Sequence, residues 1–205
     1  MSGLILHEFP QSGNCYKIRL TAAHVGIELE RRAYDISKGE TRTPEFLRDV
    51  SPTGRIPVLQ DGDRFLTESN AICHFLANGS ELIPEGHYDQ ADVLRWMFWE
   101  QYSHEPNIAT LRFWLRYVGL DALADAQRIQ ISGKREAGLA ALDLMDNHLA
   151  TRKWFVADQF SLADICLFAY THVADEAEFD LEAYPEIIRW MERIMLMPQH
   201  VGLED

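Results

Sequence analysis

Strand-like patterning in this chain ends near residue 80 and does not return, so two different kinds of domain must be built from one sequence. Before that point the signals alternate. Leu4 to Phe9 (LILHEF) is a compact apolar strand; Tyr16 to Val25 has helical spacing and stops at Gly26; LERRAYDI, within residues 28–36, is a second strand. Thr43-Pro44-Glu45 opens a helix with a capping residue, a proline in the first turn and an acid beside it. IPVLQ, the turn Asp61-Gly62 and RFLTE form a hairpin, and Ser69 to Asn78 is a helix ending at Gly79. The stretch SELIPEGHY (80–88) carries the residues of a linker. Beyond it every periodic segment is helical: residues 89–117, 121–149, a helix from Ser161, and 183–197 with Pro185 at its first turn. The expected architecture is an α/β domain over residues 1–80 and an all-α domain over 88–205.

At 205 residues, 47% of them hydrophobic and with 22 aromatic Trp, Phe and Tyr side chains between them, the chain has ample material for packed cores. Its net charge of −13 is lopsided. Nine Lys and Arg face ten Asp and Glu through residue 80, whereas ten face 22 beyond it, so −12 falls on the helical part. Such a surface repels phosphate backbones and argues against nucleic acid as a partner. No basic-then-apolar leader and no apolar run near the roughly 18 residues of a membrane span are visible, so the expected protein is soluble and cytoplasmic, with no membrane partner. Cys15, Cys73 and Cys166 are odd in number and widely spaced, which fits a reducing compartment and supports neither a disulfide framework nor a zinc site. The eight histidines are scattered, and no metal is expected.

Three polar stretches in the first domain could carry chemistry. In QSGNCYKIRL (11–20), Ser12, Gly13 and Asn14 form a turn feeding a helix, whose N-terminus presents unpaired N–H groups and about half a positive charge. A hydroxyl from Ser12 or the amide of Asn14 can donate to a thiolate there; an ordinary N-cap is the plain alternative, and Cys15 is a rival nucleophile or simply a small buried hydrophobe. In SPTGRIPVL (51–59), Pro57 interrupts a strand-like run. A cis Ile56–Pro57 bond would leave the Ile56 backbone open at a sheet edge to an added extended peptide, while a trans proline would merely begin an edge strand. In Thr67-Glu68-Ser69-Asn70, N–H groups and the Ser69 hydroxyl suit a carboxylate, and Glu68 suits an ammonium, together matching the amino-acid head of a γ-glutamyl group; a simple helix cap is the alternative.

Taken together, a polar turn after the first strand, SPTGRIPVL, LTESNAI and the later FVADQFSLADICL resemble the cytosolic glutathione S-transferases over essentially the whole chain. The resemblance implies a thioredoxin-like α/β N-terminal domain followed by an all-α domain, with glutathione as co-substrate. Pro57 would be cis and Ile56 would pair its backbone with the cysteinyl part of glutathione. Glu68 and Ser69 would hold the γ-glutamyl end, with Arg55 alongside, and Thr41 and Arg42 lie in the region of the glycine end. Ser12 falls where serine-type members carry their thiol-activating hydroxyl, and Asn14 matches an asparagine of some bacterial members. Ser161 and Asp164 form an S-x-x-D capping box that starts a core helix, a structural feature of the family rather than a catalytic one.

The aromatic-rich helix RWMFWEQYSHEPNIATLRFWLRY (95–117) is mostly core by its spacing. By resemblance it also walls the pocket for an apolar electrophile, through Tyr102, Phe113 or Trp114. His104, beside Glu105, is either a ligand contact or a surface pair. The implied function is conjugation of glutathione thiolate to a hydrophobic electrophile, a detoxification chemistry, in a homodimer. Glutathione-dependent disulfide reduction and a non-catalytic glutathione-binding role are the alternatives.

Overall fold

The computed structural model describes residues 3–205. It divides into two compact units, residues 3–81 with 198–205, and residues 82–197. The segment 198–205, expected with the helices, therefore belongs to the α/β unit, and the helical unit begins at Leu82 rather than at residue 88.

In the first unit the order is β1 (Leu4–Glu8), α1 (Gly13–Val25), β2 (Leu29–Ala33), α2 (Pro44–Asp49), β3 (Val58–Asp61), β4 (Arg64–Leu66) and α3 (Ser69–Leu76). The sheet runs β2-β1-β3-β4. β1 and β2 are parallel, Leu4 facing Leu29, and α1 forms the crossover such a pair requires. β3 is antiparallel to both neighbours, with Leu59 opposite Leu6 on one side and Leu66 on the other. Pairing of Asp61 with Arg64 makes Gly62 and Asp63 the central turn residues, one position later than the expected Asp61-Gly62, and only Gly62 takes a positive φ, +59°. Leu6 and Leu59 of the sheet, Tyr16, Ile18 and Leu20 of α1 and Ile72 of α3 are fully or almost fully buried, and α1 and α3 pack against each other.

Residues 198–205 are tied to this unit by hydrogen bonds. Tyr16 Oη donates to the Val201 carbonyl at 2.8 Å, and Arg19 donates to the Leu203 carbonyl at 2.6 Å while its other amino nitrogen pairs with buried Glu8 at 3.0 Å. Arg31 bonds both Glu8 and the Asp205 carbonyl.

The helical unit contains α4 (His87–Trp99), α5 (Glu105–Arg112), α6 (Asp125–Arg128), α7 (Ile131–Leu149), α8 (Leu162–Thr171) and α9 (Pro185–Met195). The segment expected as one helix over 89–117 is widened to π-helical turns at Glu100–His104 and Phe113–Val118. Pro106 supplies a reason for the first: it has no N–H, and its ring would strike the carbonyl four residues back in a regular α-helix. The second expected helix is broken as well. Gly119 leaves helical geometry at φ +84°, a short turn and α6 follow, and the Arg128 guanidinium caps the carbonyls of Asp121 and Leu123. α8 is buried along its whole length, and Ser161 and Asp164 close its N-terminus as the expected capping box. Asp164 also accepts from the Trp190 indole at 2.9 Å and the Phe155 N–H at 3.2 Å, so one carboxylate anchors three segments.

Candidate functional site

α1 begins one residue after Ser12, earlier than its apolar spacing suggests, because Gly13 and Asn14 form its polar first turn. Ser12 Oγ accepts from the Cys15 N–H at 3.4 Å, a long N-cap bond. That role uses only the oxygen's acceptor capacity, so the hydroxyl keeps its capacity to donate; the side chain also hydrogen-bonds the buried Cys15 thiol, and Ser12 is half-buried at the positive end of a 13-residue helix. The cap reading and the donor reading of Ser12 are thus compatible.

Cys15 is fully buried, and burial pushes its thiol up to about 12, against opposing hydrogen bonds from the Phe9 backbone and the Ser12 side chain. At neutral pH it is protonated and sequestered, so the rival reading of Cys15 as a nucleophile gives way to that of a packed small hydrophobe.

α3 starts at Ser69, which is buried, after an exposed Glu68. Glu68 has φ 68° and ψ 108°, a conformation outside the ordinary regions for a residue with a side chain and costing about 1–3 kcal/mol. Such a backbone persists only where its surroundings over-determine it, and it marks this turn as a place where geometry matters more than stability. Ser69 Oγ donates to Asn14 Oδ1 at 3.0 Å, joining the first and third of the polar stretches. Beside that bond Lys17 Nζ donates to Asn70 Oδ1 at 2.9 Å. Sequence reasoning passed over Lys17; the available signal was a lysine three residues after Asn14, on the same helix face.

The Ile56–Pro57 bond is cis. Contrary to the expected edge position, β3 is an interior strand, and Pro57 sits one residue before its first paired residue, where no ladder N–H is required of it. Among the described residues no backbone hydrogen bond reaches the N–H or carbonyl of Ile56, which is half-buried. Its peptide groups are therefore open to an extended partner at the start of the strand rather than along the sheet's flank. Gly54, at φ +62°, lies so close to residues 41 and 42 that a Cβ there would meet the Thr41 carbonyl at 2.8 Å and Arg42 Nη1 at 2.7 Å. Arg42 donates to the Thr53 carbonyl at 2.7 Å. Thr41 and Arg42 are thereby held against the 53–55 loop, with Thr41 buried and Arg55 exposed.

Of the four aromatic positions expected at the electrophile pocket, Tyr102 (87% exposed) and Phe113 (42%) reach the surface of their unit. His104 and Trp114 do not. His104 is buried with Nε2 2.9 Å from Thr171 Oγ1, which makes it a core residue rather than a ligand contact or a surface partner of Glu105. Trp114 is buried under the Lys134 ammonium. Among the described residues no group of His, Cys, Asp and Glu could hold a metal ion, and no helix is long and apolar enough to cross a membrane.

The family model described as glutathione S-transferase, N-terminal domain, matches residues 2–78, and that of the C-terminal domain matches residues 113–198. Glutathione S-transferase 3 of Zea mays is 31% identical over 207 residues, covering 97% of this chain and 91% of the relative. The crystal structure of a glutathione S-transferase from Pseudomonas fluorescens Pf-5 superposes with a TM-score of 0.92 at 43% identity, over 100% of both chains. Elongation factor 1-gamma of Carassius auratus is 29% identical over 208 residues, covering 97% of this chain but 45% of that protein. With both domain models matched and a relative similar along nearly its full length, the chain belongs to the glutathione S-transferase family.

Proposed function

We propose that the protein binds glutathione, ionises its thiol beside Ser12 and directs the thiolate at an electrophilic carbon of an apolar substrate. Glutathione is the co-substrate of its family. Ile56 offers backbone groups to the cysteinyl part, Glu68 and Ser69 receive the γ-glutamyl end, Arg55 lies alongside, and Thr41 and Arg42 take the glycine end. Ser12 remains protonated and donates; Asn14 supports the turn.

The observation that carries the reading is the Ser12 hydroxyl, half-buried at the N-terminus of α1, where the cap uses its oxygen as an acceptor and leaves the group its capacity to donate. A free thiol near pKa 8.5 is about 3% ionised at pH 7, and lowering that value by about two units requires about 2.7 kcal/mol. A hydrogen bond to a charged acceptor contributes roughly 1.5–3 kcal/mol, and a helix N-terminus about 0.3–1 kcal/mol more. The two sources suffice without a neighbouring base.

The test is the ultraviolet absorbance of bound glutathione thiolate as a function of pH, in the wild type and in Ser12→Ala, together with turnover of an aryl halide. Ser12→Ala should raise the bound thiol's pKa by about one to two units and lower turnover at pH 6.5 about ten- to a hundredfold, with glutathione affinity little changed. An unchanged thiol pKa in Ser12→Ala would sink the assignment. A small disulfide assayed in parallel separates conjugation from glutathione-dependent disulfide reduction. Similarity to elongation factor 1-gamma supports a second reading, a non-catalytic family member; tight glutathione binding with no turnover of either substrate selects it.

A homodimer is part of the proposal. Leu94, Phe98 and Tyr102 recur every fourth residue along α4 and its extension and are 37%, 71% and 87% exposed, an apolar stripe suited to a second copy.

A further inference from the structure

Lys17 is fully buried, an unusual place for an ammonium, which is retained in a protein interior only when it is paired or hydrogen-bonded. It lies three residues beyond Asn14 on α1, so the two side chains leave the same face of the helix. Each reaches a different residue of the first turn of α3: Asn14 accepts from Ser69, and Lys17 donates to Asn70 at 2.9 Å. Two adjacent residues of one helix start are thus fixed to two positions one turn apart on another. The residue preceding them is Glu68, whose positive φ must be held by its neighbours. A Leu or Met at position 17 would fill the same space on α1, but neither could donate to Asn70.

We propose that Lys17 is a positioning residue for glutathione binding: through Asn70 it holds the Glu68–Ser69 turn in the geometry that receives the γ-glutamyl end. The inference rests on the proposed function and adds to it a residue that does not touch the ligand. Because Lys17 acts on the γ-glutamyl end and Ser12 on the sulfur, the two roles separate experimentally. Losing Lys17 affects how much glutathione binds, and losing Ser12 affects how acidic its thiol is once bound.

Lys17→Met, Lys17→Arg and Asn70→Ala would be compared with the wild type by calorimetric titration with glutathione, by the pH dependence of bound-thiolate absorbance, and by steady-state kinetics. Lys17→Met should weaken glutathione binding about tenfold or more, the scale of one charged hydrogen bond, and raise the KM for glutathione in step. The bound thiol's pKa and kcat at saturating glutathione should stay near wild type. Lys17→Arg, which keeps a charged donor, should recover part of the affinity. Asn70→Ala removes the acceptor of Lys17 at a half-buried position and should weaken binding in the same sense, which keeps the test decisive if Lys17→Met fails to fold. Wild-type affinity in folded Lys17→Met or in Asn70→Ala overturns the inference alone. A wild-type protein that binds no glutathione overturns the functional reading and this inference with it.

Discussion

The Ser69 hydroxyl donates to Asn14 Oδ1 across 3.0 Å, linking residues 55 positions apart in the sequence. Ser69 is buried, so its hydroxyl depends on that acceptor or another polar group. Replacing Asn14 with Ala removes the acceptor and should cost about 1–3 kcal/mol in urea denaturation, more than the roughly 1 kcal/mol expected of Ser69→Ala, which removes the donor itself. The double variant should be less destabilised than the two single effects combined, by about 1 kcal/mol. Strict additivity would show that the bond contributes nothing to the junction of α1 and α3.

Cys15 should be inert in the folded protein. Its thiol has no solvent access and is pushed up to about 12 by burial, so a chromogenic disulfide reagent at pH 8 should label it only on unfolding. Cys15→Ala should lose roughly 1 kcal/mol of stability through the small cavity it leaves, and keep its glutathione-dependent activity. Rapid labelling of native Cys15, or loss of activity in Cys15→Ala with the fold intact, would return it to the centre of the chemistry.

What was legible in the sequence was what local chemistry dictates. Ser161 and Asp164 are partners three residues apart, Asp164 Oδ2 accepting from both the Ser161 N–H and its hydroxyl, so their spacing alone specified the start of α8. Pro57 announced an irregular strand start because it lacks an N–H, yet its place beside an interior strand depended on the β3–β4 hairpin and could not be read from IPVL. The breaks in the long helices were hidden for a related reason: apolar residues keep roughly the same spacing through a π-turn, and only Pro106 hinted at one. His104 looked polar and accessible beside Glu105, but its burial is set by Thr171, 67 residues away. The bond from Lys17 to Asn70 and the attachment of 198–205 to the α/β unit are likewise long-range, with no signature at either end.

The segment 198–205 should be needed by the α/β unit. Ending the chain at Met197 removes the Val201 acceptor of Tyr16 Oη and one of the two carbonyls that Arg19 Nη2 reaches, Pro10 keeping the other, both on buried side chains. The expected loss is about 2–4 kcal/mol, one neutral and one charged hydrogen bond at their usual contributions. Tyr16→Phe in the full chain, which deletes one of the two bonds without exposing an orphan donor, should cost about 1 kcal/mol. Chemical denaturation of the truncated chain and of Tyr16→Phe measures both, and full stability after truncation would show that the segment is only draped over the unit.

Phe98, 71% exposed between Leu94 and Tyr102, is the centre of the stripe proposed for a second copy. Phe98→Glu places a charge where an apolar contact would be desolvated and should move sedimentation behaviour from dimer to monomer at micromolar concentration. Its helical circular dichroism should not change, because the side chain makes little contact within its own chain. A variant that sediments like the wild type would remove this face from the interface.

The α/β unit should lose stability in mild acid for a reason localised at His24. Burial, followed by the neighbouring His200, pulls its pKa down from the ordinary 6.5 to about 4. The folded state therefore favours neutral His24, while the unfolded chain takes up a proton as pH falls below 6.5. Its contribution to stability is complete above that pH and is lost progressively as pH falls toward 4. His200, whose own pKa is lowered by burial while Asp205 opposes the shift, works in the same direction, as does His7, and His148 does so within the helical unit. His24→Gln cannot titrate, so its urea midpoint should fall less steeply than that of the wild type between pH 7 and pH 5, with the other three histidines and the carboxylates supplying the slope that remains. Parallel midpoint curves for the two proteins across that range would place the acid sensitivity elsewhere.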